Sequence, residues 1–146
     1  MVCSCGGNRT VRHNALRNAF AEVAAEVGDG YFMHPFSSAA SMDELSLAAI
    51  SRGLEKAGKS RDDYQVSAQV ITATGLDEES MAAAVGSARN QIAFYASTPA
   101  YLPVLKCHGW EDLQLEANRL MREGKWAELN DLVDDEILNT FAVVGS

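Results

Sequence analysis

The chain has 146 residues, 47% of them apolar and 22% charged, and a formal net charge of −8. That is enough for one ordinary domain with one core, and the composition is that of a soluble globular protein. The acidic balance argues against a nucleic-acid binder, and no apolar run is long enough to span a bilayer.

The first seventeen residues hold Arg9, Arg12 and Arg17 and no acid, whereas Glu111 to Glu136 carries nine acids against three bases. A solvated face of surface helices accounts for the acidic stretch. Three cysteines, Cys3, Cys5 and Cys107, with no signal peptide, suggest a reducing cytosol and no disulfide framework. The start, MVCSCGGNRT, places Gly6 and Gly7 where a loop entering a helix could offer backbone N–H groups to a phosphate, with Arg9 and Arg12 nearby. A single glycine pair is not a fingerprint, and a loose terminus explains it equally.

Leu16, Phe20, Val23 and Val27 recur at helical spacing and predict a helix that stops at Gly28 and Gly30. Tyr31 to His34 reads as a short strand closed by Pro35. Ser41 and Glu44 form a capping-box pattern for a helix whose buried stripe is Leu47, Ile50 and Leu54 and whose end is Gly58. The run QVSAQVITATG predicts a single strand buried on both faces, with Gln69 needing a partner inside it and Thr72 and Thr74 near its carboxyl end. Asp77 then caps a helix whose stripe is Met81, Val85, Ala88, Ile92 and Tyr95. Ser97 to Gly109 reads as a long loop carrying aromatics and two prolines. Two short helices separated by Gly124 follow, then a last helical turn around Ile137 to Phe141 that runs into Val143 and Val144. Helix and strand alternate up to Tyr95, so the expected class is α/β with parallel strands. Two or three strands beside five or six helices leave sheet edges bare, so the chain reads as a portion of a larger α/β structure.

Taken together, AEVAAEVGDGYFMHPF, QVSAQVITATG, RNQIAFYASTPAYLPVLKCHGW and WAELNDLVDDEILNTFAVVG resemble the second half of luciferase-like monooxygenases. Their nearest likeness is to the branch of probable oxidoreductases that use the deazaflavin coenzyme F420. The resemblance covers about Ala21 to Gly145. It implies a partial TIM (β/α)8 barrel, its C-terminal portion with extra helices, over residues 19–146, behind an atypical segment at residues 1–18. It also implies a parent oxidoreductase or monooxygenase with F420, or FMN as the alternative, acting on a small organic substrate in the cytoplasm. About half a barrel, including much of the cofactor and substrate site, has no counterpart in this chain, and little activity is expected of it alone. RTVRHNALRN departs from the family's phosphate loop, which puts that role for Gly6 and Gly7 in doubt.

In such a barrel, functional groups sit at the carboxyl ends of strands. That singles out His34 as a ring-contacting acid or base, against the alternative of a loop histidine held by its neighbours. Tyr95 and Tyr101, with Phe94 and Trp110, either line a substrate pocket or pack a loop. Cys107 and His108 with the distant Cys3 and Cys5 do not have zinc spacing, and no metal is expected. The alternative reading is a non-catalytic α/β module that self-associates, or binds a partner, through open sheet edges.

Overall fold

The computed structural model describes residues 19–145, so the readings placed on Cys3, Cys5, Gly6, Gly7, Leu16 and residues 1–18 lie outside it. The described residues form two compact units, one of residues 19–33 and 39–68, the other of His34–Ser38 with residues 69–145. Among the described residues no helix is long and apolar enough to cross a membrane.

The first unit holds α1 (residues 19–27), β1 (Gly30–Met33), α2 (Ala39–Ser41), α3 (Ala48–Ala57) and β2 (Gln65–Ala68). Strands β1 and β2 pair in parallel, Gly30 opposite Gln65 and Met33 opposite Ala68, as strands joined through a helical crossover do. The apolar residues whose spacing marks α1 face outward. Phe20 and Val27 are 68% and 78% exposed, while Ala21 and Ala25 are buried with Met33, Ala49, Ile50, Leu54 and Tyr64. The reason is close packing. Gly53 of α3 lies so near α1 that a side chain there would strike the Glu22 carbonyl and Ala25 Cβ, and only small residues fit such an approach. Glu22 bridges to Arg52 and Lys56 of α3 at the rim, and Lys59 Nζ donates to the Gly28 carbonyl at 2.8 Å, satisfying an end group of α1.

The capping box at Ser41 and Glu44 does not form. Helical structure begins at Ala39, Ser41 has helical dihedrals and no capping bond, and Met42–Leu47 is a π-helical stretch leading into α3. The end of α3 is as expected, with Gly58 at φ 66° in the left-handed region that its missing Cβ permits. Ile50 and Leu54 are buried as predicted.

The second unit holds β3 (Ile71–Ala73), α4 (Glu78–Ser97), α5 (Leu102–Lys106), α6 (Glu111–Glu123), α7 (Trp126–Asp131), α8 (Asp135–Phe141) and β4 (Ala142–Val144). The single strand expected from Gln65 onward is therefore two. Pairing lapses at Gln69 and Val70, both exposed, and Gln69 is not a buried polar group. Strand β3 pairs in parallel with β4, Ile71 opposite Ala142 and Ala73 opposite Val144, so the terminal apolar run is a strand rather than a tail.

Helix α4 starts where expected. Asp77 Oδ1 accepts the Ser80 N–H at 2.7 Å, and Ser80 Oγ reaches back to the Asp77 N–H at 3.1 Å. Gly75 is required because a Cβ there would run into the Met81 backbone. The buried face of α4 is Ala88, Ile92, Ala93, Ala96 and Ser97; of the predicted stripe Ala88 and Ile92 are buried, while Met81, Val85 and Tyr95 are only half-buried. The other end of α4 is closed from α6, where Asn118 and Gln114 both donate to the Ser97 carbonyl, at 2.8 and 3.4 Å. The expected loop from Ser97 to Gly109 is mostly helical, with a 3-10 turn at Pro99–Tyr101 and then α5. Each begins with a proline near its first position, where a missing N–H costs nothing.

Candidate functional site

The segment His34-Pro35-Phe36-Ser37-Ser38 leaves β1 and belongs to the second unit. Its own bonds hold it in shape. The Phe36 N–H donates to His34 Nδ1 at 3.1 Å, and Ser37 Oγ donates to the His34 carbonyl at 2.8 Å. Phe36 is 1% exposed and stacks on Phe141 with ring centroids 4.3 Å apart. At Ser38, buried, the hydroxyl lies 2.7 Å from His108 Nε2. His108 in turn stacks on Trp110 at 4.6 Å. The segment is thus pinned at its middle and far end, and His34 is left exposed at its start.

Three of the sequence-predicted residues meet there. His34 Nε2 is 2.9 Å from Tyr101 Oη, across 67 positions of sequence. Tyr95, from the last turn of α4, presents its ring edge-on to His34 at 5.0 Å and to Tyr101 at 5.5 Å. Phe36 underlies both tyrosines at 5.5 and 5.6 Å. Tyr95 is placed by the burial of its helix neighbours Ile92 and Ala96, and Tyr101 by the 3-10 turn that Pro99 opens. Edge-to-face contacts of this kind fix ring orientation as well as burying area. Both tyrosines are half-buried. The result is an aromatic wall with polar atoms on its edge, a surface suited to a flat organic ring.

The other candidates separate from it. Phe94 is exposed and touches only Tyr95 among the aromatic contacts of the described residues. Trp110 joins His108 and Phe141 instead of the His34 group. Thr72 is exposed and its hydroxyl bonds the Val70 carbonyl at 3.4 Å, a strand-end role. Cys107 donates from Sγ to the Pro103 carbonyl at 3.2 Å. The described residues contain no cluster of His, Cys, Asp and Glu able to hold a metal ion.

Phe36, Phe141 and the Ser38–His108 bond were not singled out in the sequence. The available signal was the Pro-Phe pair directly after His34, since a large apolar residue two places beyond a polar candidate is well placed to anchor it.

The fold is shared with a solved protein, the coenzyme F420 dependent tetrahydromethanopterin reductase of Methanopyrus kandleri. The two superpose with a TM-score of 0.69 at 22% identity, over 88% of this chain and 35% of that one. The luciferase-like monooxygenase family model matches residues 8–146, and the chain belongs to that family. Uncharacterized proteins of Mycobacterium tuberculosis and Mycobacterium bovis are each 47% identical to it over 131 residues, 90% of this chain and 38% of theirs. The 5,10-methylenetetrahydromethanopterin reductase of Archaeoglobus fulgidus is 30% identical over 131 residues, 86% of this chain and 37% of its own. The chain therefore spans little more than a third of the length of these relatives.

Proposed function

We propose that the chain is part of a luciferase-like (β/α)8 barrel whose parent activity is oxidation or reduction of a small organic substrate with coenzyme F420, FMN being the alternative cofactor. The observation that carries this reading is the meeting of His34, Tyr95 and Tyr101 in one patch, with His34 Nε2 and Tyr101 Oη 2.9 Å apart. Two relatives named for F420 or for methylenetetrahydromethanopterin support the cofactor and the substrate class. The residues fit the ring of such a coenzyme, since edge-on aromatic side chains beside the hydrogen-bonded His34–Tyr101 pair suit a flat, heteroatom-rich system. His34 would sit against the ring, with Tyr95 and Tyr101 around the substrate. The phosphate grip expected of Gly6 and Gly7 belongs to residues outside those described.

When bound, a coenzyme of this class supplies hydride transfer, and the protein supplies position and electrostatics. The parts that do so here are the pinned 34–38 segment and the end of α4. Because the chain spans about 37% of its reductase relative, we expect weak binding and little or no turnover by the 146-residue protein on its own. Titration of the purified chain with F420 and with FMN, followed by a turnover assay, tests this. Tight binding with turnover would show the chain to be self-sufficient. The net charge of −8 favours a small-molecule substrate over nucleic acid, and we place the protein in the cytoplasm.

One observation favours a second reading, that of a non-catalytic module that associates through its sheets. Among the described residues each sheet has only two strands, and Phe32 and Val143 on them are 65% and 58% exposed. An exposed strand edge is a template for pairing with another chain, a second copy included. Light scattering across a concentration series separates the readings, because a strict monomer excludes self-association.

A further inference from the structure

Helix α1 is apolar on two sides. Ala21 and Ala25 are buried in the core of the first unit, while Phe20, Val23 and Val27 line the opposite side at 68%, 51% and 78% exposure. Helix α3 lies against the buried side, where Gly53 meets Glu22 and Ala25, so the outer stripe points away from it. The acids of α1 are already matched within the unit: Glu22 bridges to Arg52 and Lys56, and Glu26 to Lys56 at 3.5 Å. Strand β1 follows directly after Gly28 and Asp29 and is open along one edge. The Gln65 N–H donates to the Asp29 carbonyl at 2.9 Å. Alternation then turns the main-chain groups of Tyr31 and Met33 toward β2, and those of Gly30 and Phe32 toward the other edge, where no strand lies among the described residues. A helix that leads into a strand of a parallel sheet lies, by the right-handed crossover, over that strand and the one before it. The open edge and the outer stripe are therefore the two places that a preceding βα unit would fill.

We propose that the outer stripe of α1 and the free edge of β1 form one docking surface, and that its occupant is a βα unit from the amino-terminal portion of a luciferase-like barrel. Its strand pairs beside β1 and its helix packs on Phe20, Val23 and Val27. The proposal rests on the barrel reading above and names the partner. The relatives carry such an occupant: this chain matches 38% and 37% of their lengths, which leaves more than half of each to fold against it. Charge disfavours a second copy, because two chains of net charge −8 repel. A membrane surface is disfavoured too, since the polar side of α1 carries Glu22 and Glu26 where an anionic surface calls for Lys and Arg.

The test co-expresses the tagged 146-residue chain with the portion of the Mycobacterium tuberculosis relative that precedes its matched 131 residues, and measures the dissociation constant of the purified pair. A complex is expected, with slowed amide exchange at Phe32. Val23→Lys should weaken it at least about tenfold, the loss of one buried valine. The same variant should leave the circular dichroism of the chain alone unchanged, because the position is exposed. Glu55→Lys, exposed on α3, should bind as the wild type does. If the added portion is insoluble, it is fused ahead of the chain. Val23→Lys should then lower the melting temperature of the fusion by about 3 °C or more and that of the chain alone by less than about 1 °C. Absence of a complex with the soluble portion, equal binding by Val23→Lys, or a fusion no more sensitive to it than the chain alone would overturn this inference and leave the proposed cofactor chemistry standing. Self-association of the chain that Val23→Lys abolishes would overturn it as well, since a second copy would then be the occupant. A complex held through Val23 that binds neither F420 nor FMN would support the inference and overturn the proposed cofactor chemistry.

Discussion

Replacing Phe36 by alanine should weaken the second unit more than any other single truncation near the site. The side chain is 1% exposed, stacked on Phe141 at 4.3 Å and in contact with Tyr95 and Tyr101 at 5.6 and 5.5 Å. Losing the buried ring removes about 2–3 kcal/mol of transfer free energy. The cavity and the lost ring contacts add to that, and buried Phe→Ala changes cost about 3–5 kcal/mol in total. Phe36→Leu fills most of the space and should cost roughly 1 kcal/mol, the share specific to ring geometry. The assay is urea unfolding followed by tryptophan fluorescence. Trp110 stacks on His108 within the same aromatic group, while Trp126 is 56% exposed and should change little. With a slope near 2 kcal/mol per molar urea, Phe36→Ala should lower the midpoint by roughly 2 M and Phe36→Leu by roughly 0.5 M. A shift below about 0.3 M for Phe36→Ala would refute the claim that this ring anchors the segment behind His34.

Three further outcomes follow from particular contacts. Gly53→Val should disrupt the first unit, because its side chain would meet the Glu22 carbonyl and lie within 2.8 Å of Ala25 Cβ; loss of helical circular dichroism at 25 °C, or of soluble expression, is the readout, and a variant as stable as wild type would contradict the close packing. Tyr64→Phe should be neutral or stabilise by about 1 kcal/mol, since the Tyr64 hydroxyl is buried without a hydrogen-bond partner among the described residues; a clear loss in thermal unfolding would reveal a partner. Asp77→Ala should lower the melting temperature at pH 7 by a few degrees, and the difference should shrink in acid. The bonds from the Ser80 side chain and then its backbone hold the Asp77 carboxyl below its ordinary value of 3.8. A depressed carboxyl contributes stability above that value and loses it as the pH falls through its folded one. A difference that does not shrink as the pH falls would refute the charged cap.

What could be read in advance, and what could not, divides along physical lines. Helix α4 was legible because Asp77, the acidic first turn and the Ile92 stripe all point the same way within twenty residues. Helix α1 was legible as a helix but not in its facing. Phe20, Val23 and Val27 have the spacing of a buried stripe, and what reverses it is the fit of Ala25 to Gly53, a match across 28 positions that no local pattern records. The parallel β1–β2 pair followed from alternation of strand and helix. The lapse at Gln69 and Val70 did not, because alternating side chains look the same whether a strand keeps one neighbour or changes it. At the site, His34, Tyr95 and Tyr101 were each visible for their residue type and place, yet only folding brings His34 within bonding distance of Tyr101 and sets Tyr95 edge-on to both. Phe36 and Phe141 escaped notice because a buried aromatic announces packing, and here packing is what aims the polar atoms.

The path of the backbone through the two units has a consequence for how the molecule could come apart. It passes from one unit to the other after Met33, back after Ser38, and over again after Ala68. A protease that cut at the exposed Gln69–Val70 link would leave an amino-terminal fragment still carrying a five-residue plug of the second unit, with Phe36 against Phe141 and Ser38 against His108. The nicked halves should therefore migrate together under native conditions and part only in denaturant, and the same division marks where the gene could be split into two co-expressed pieces that find each other again.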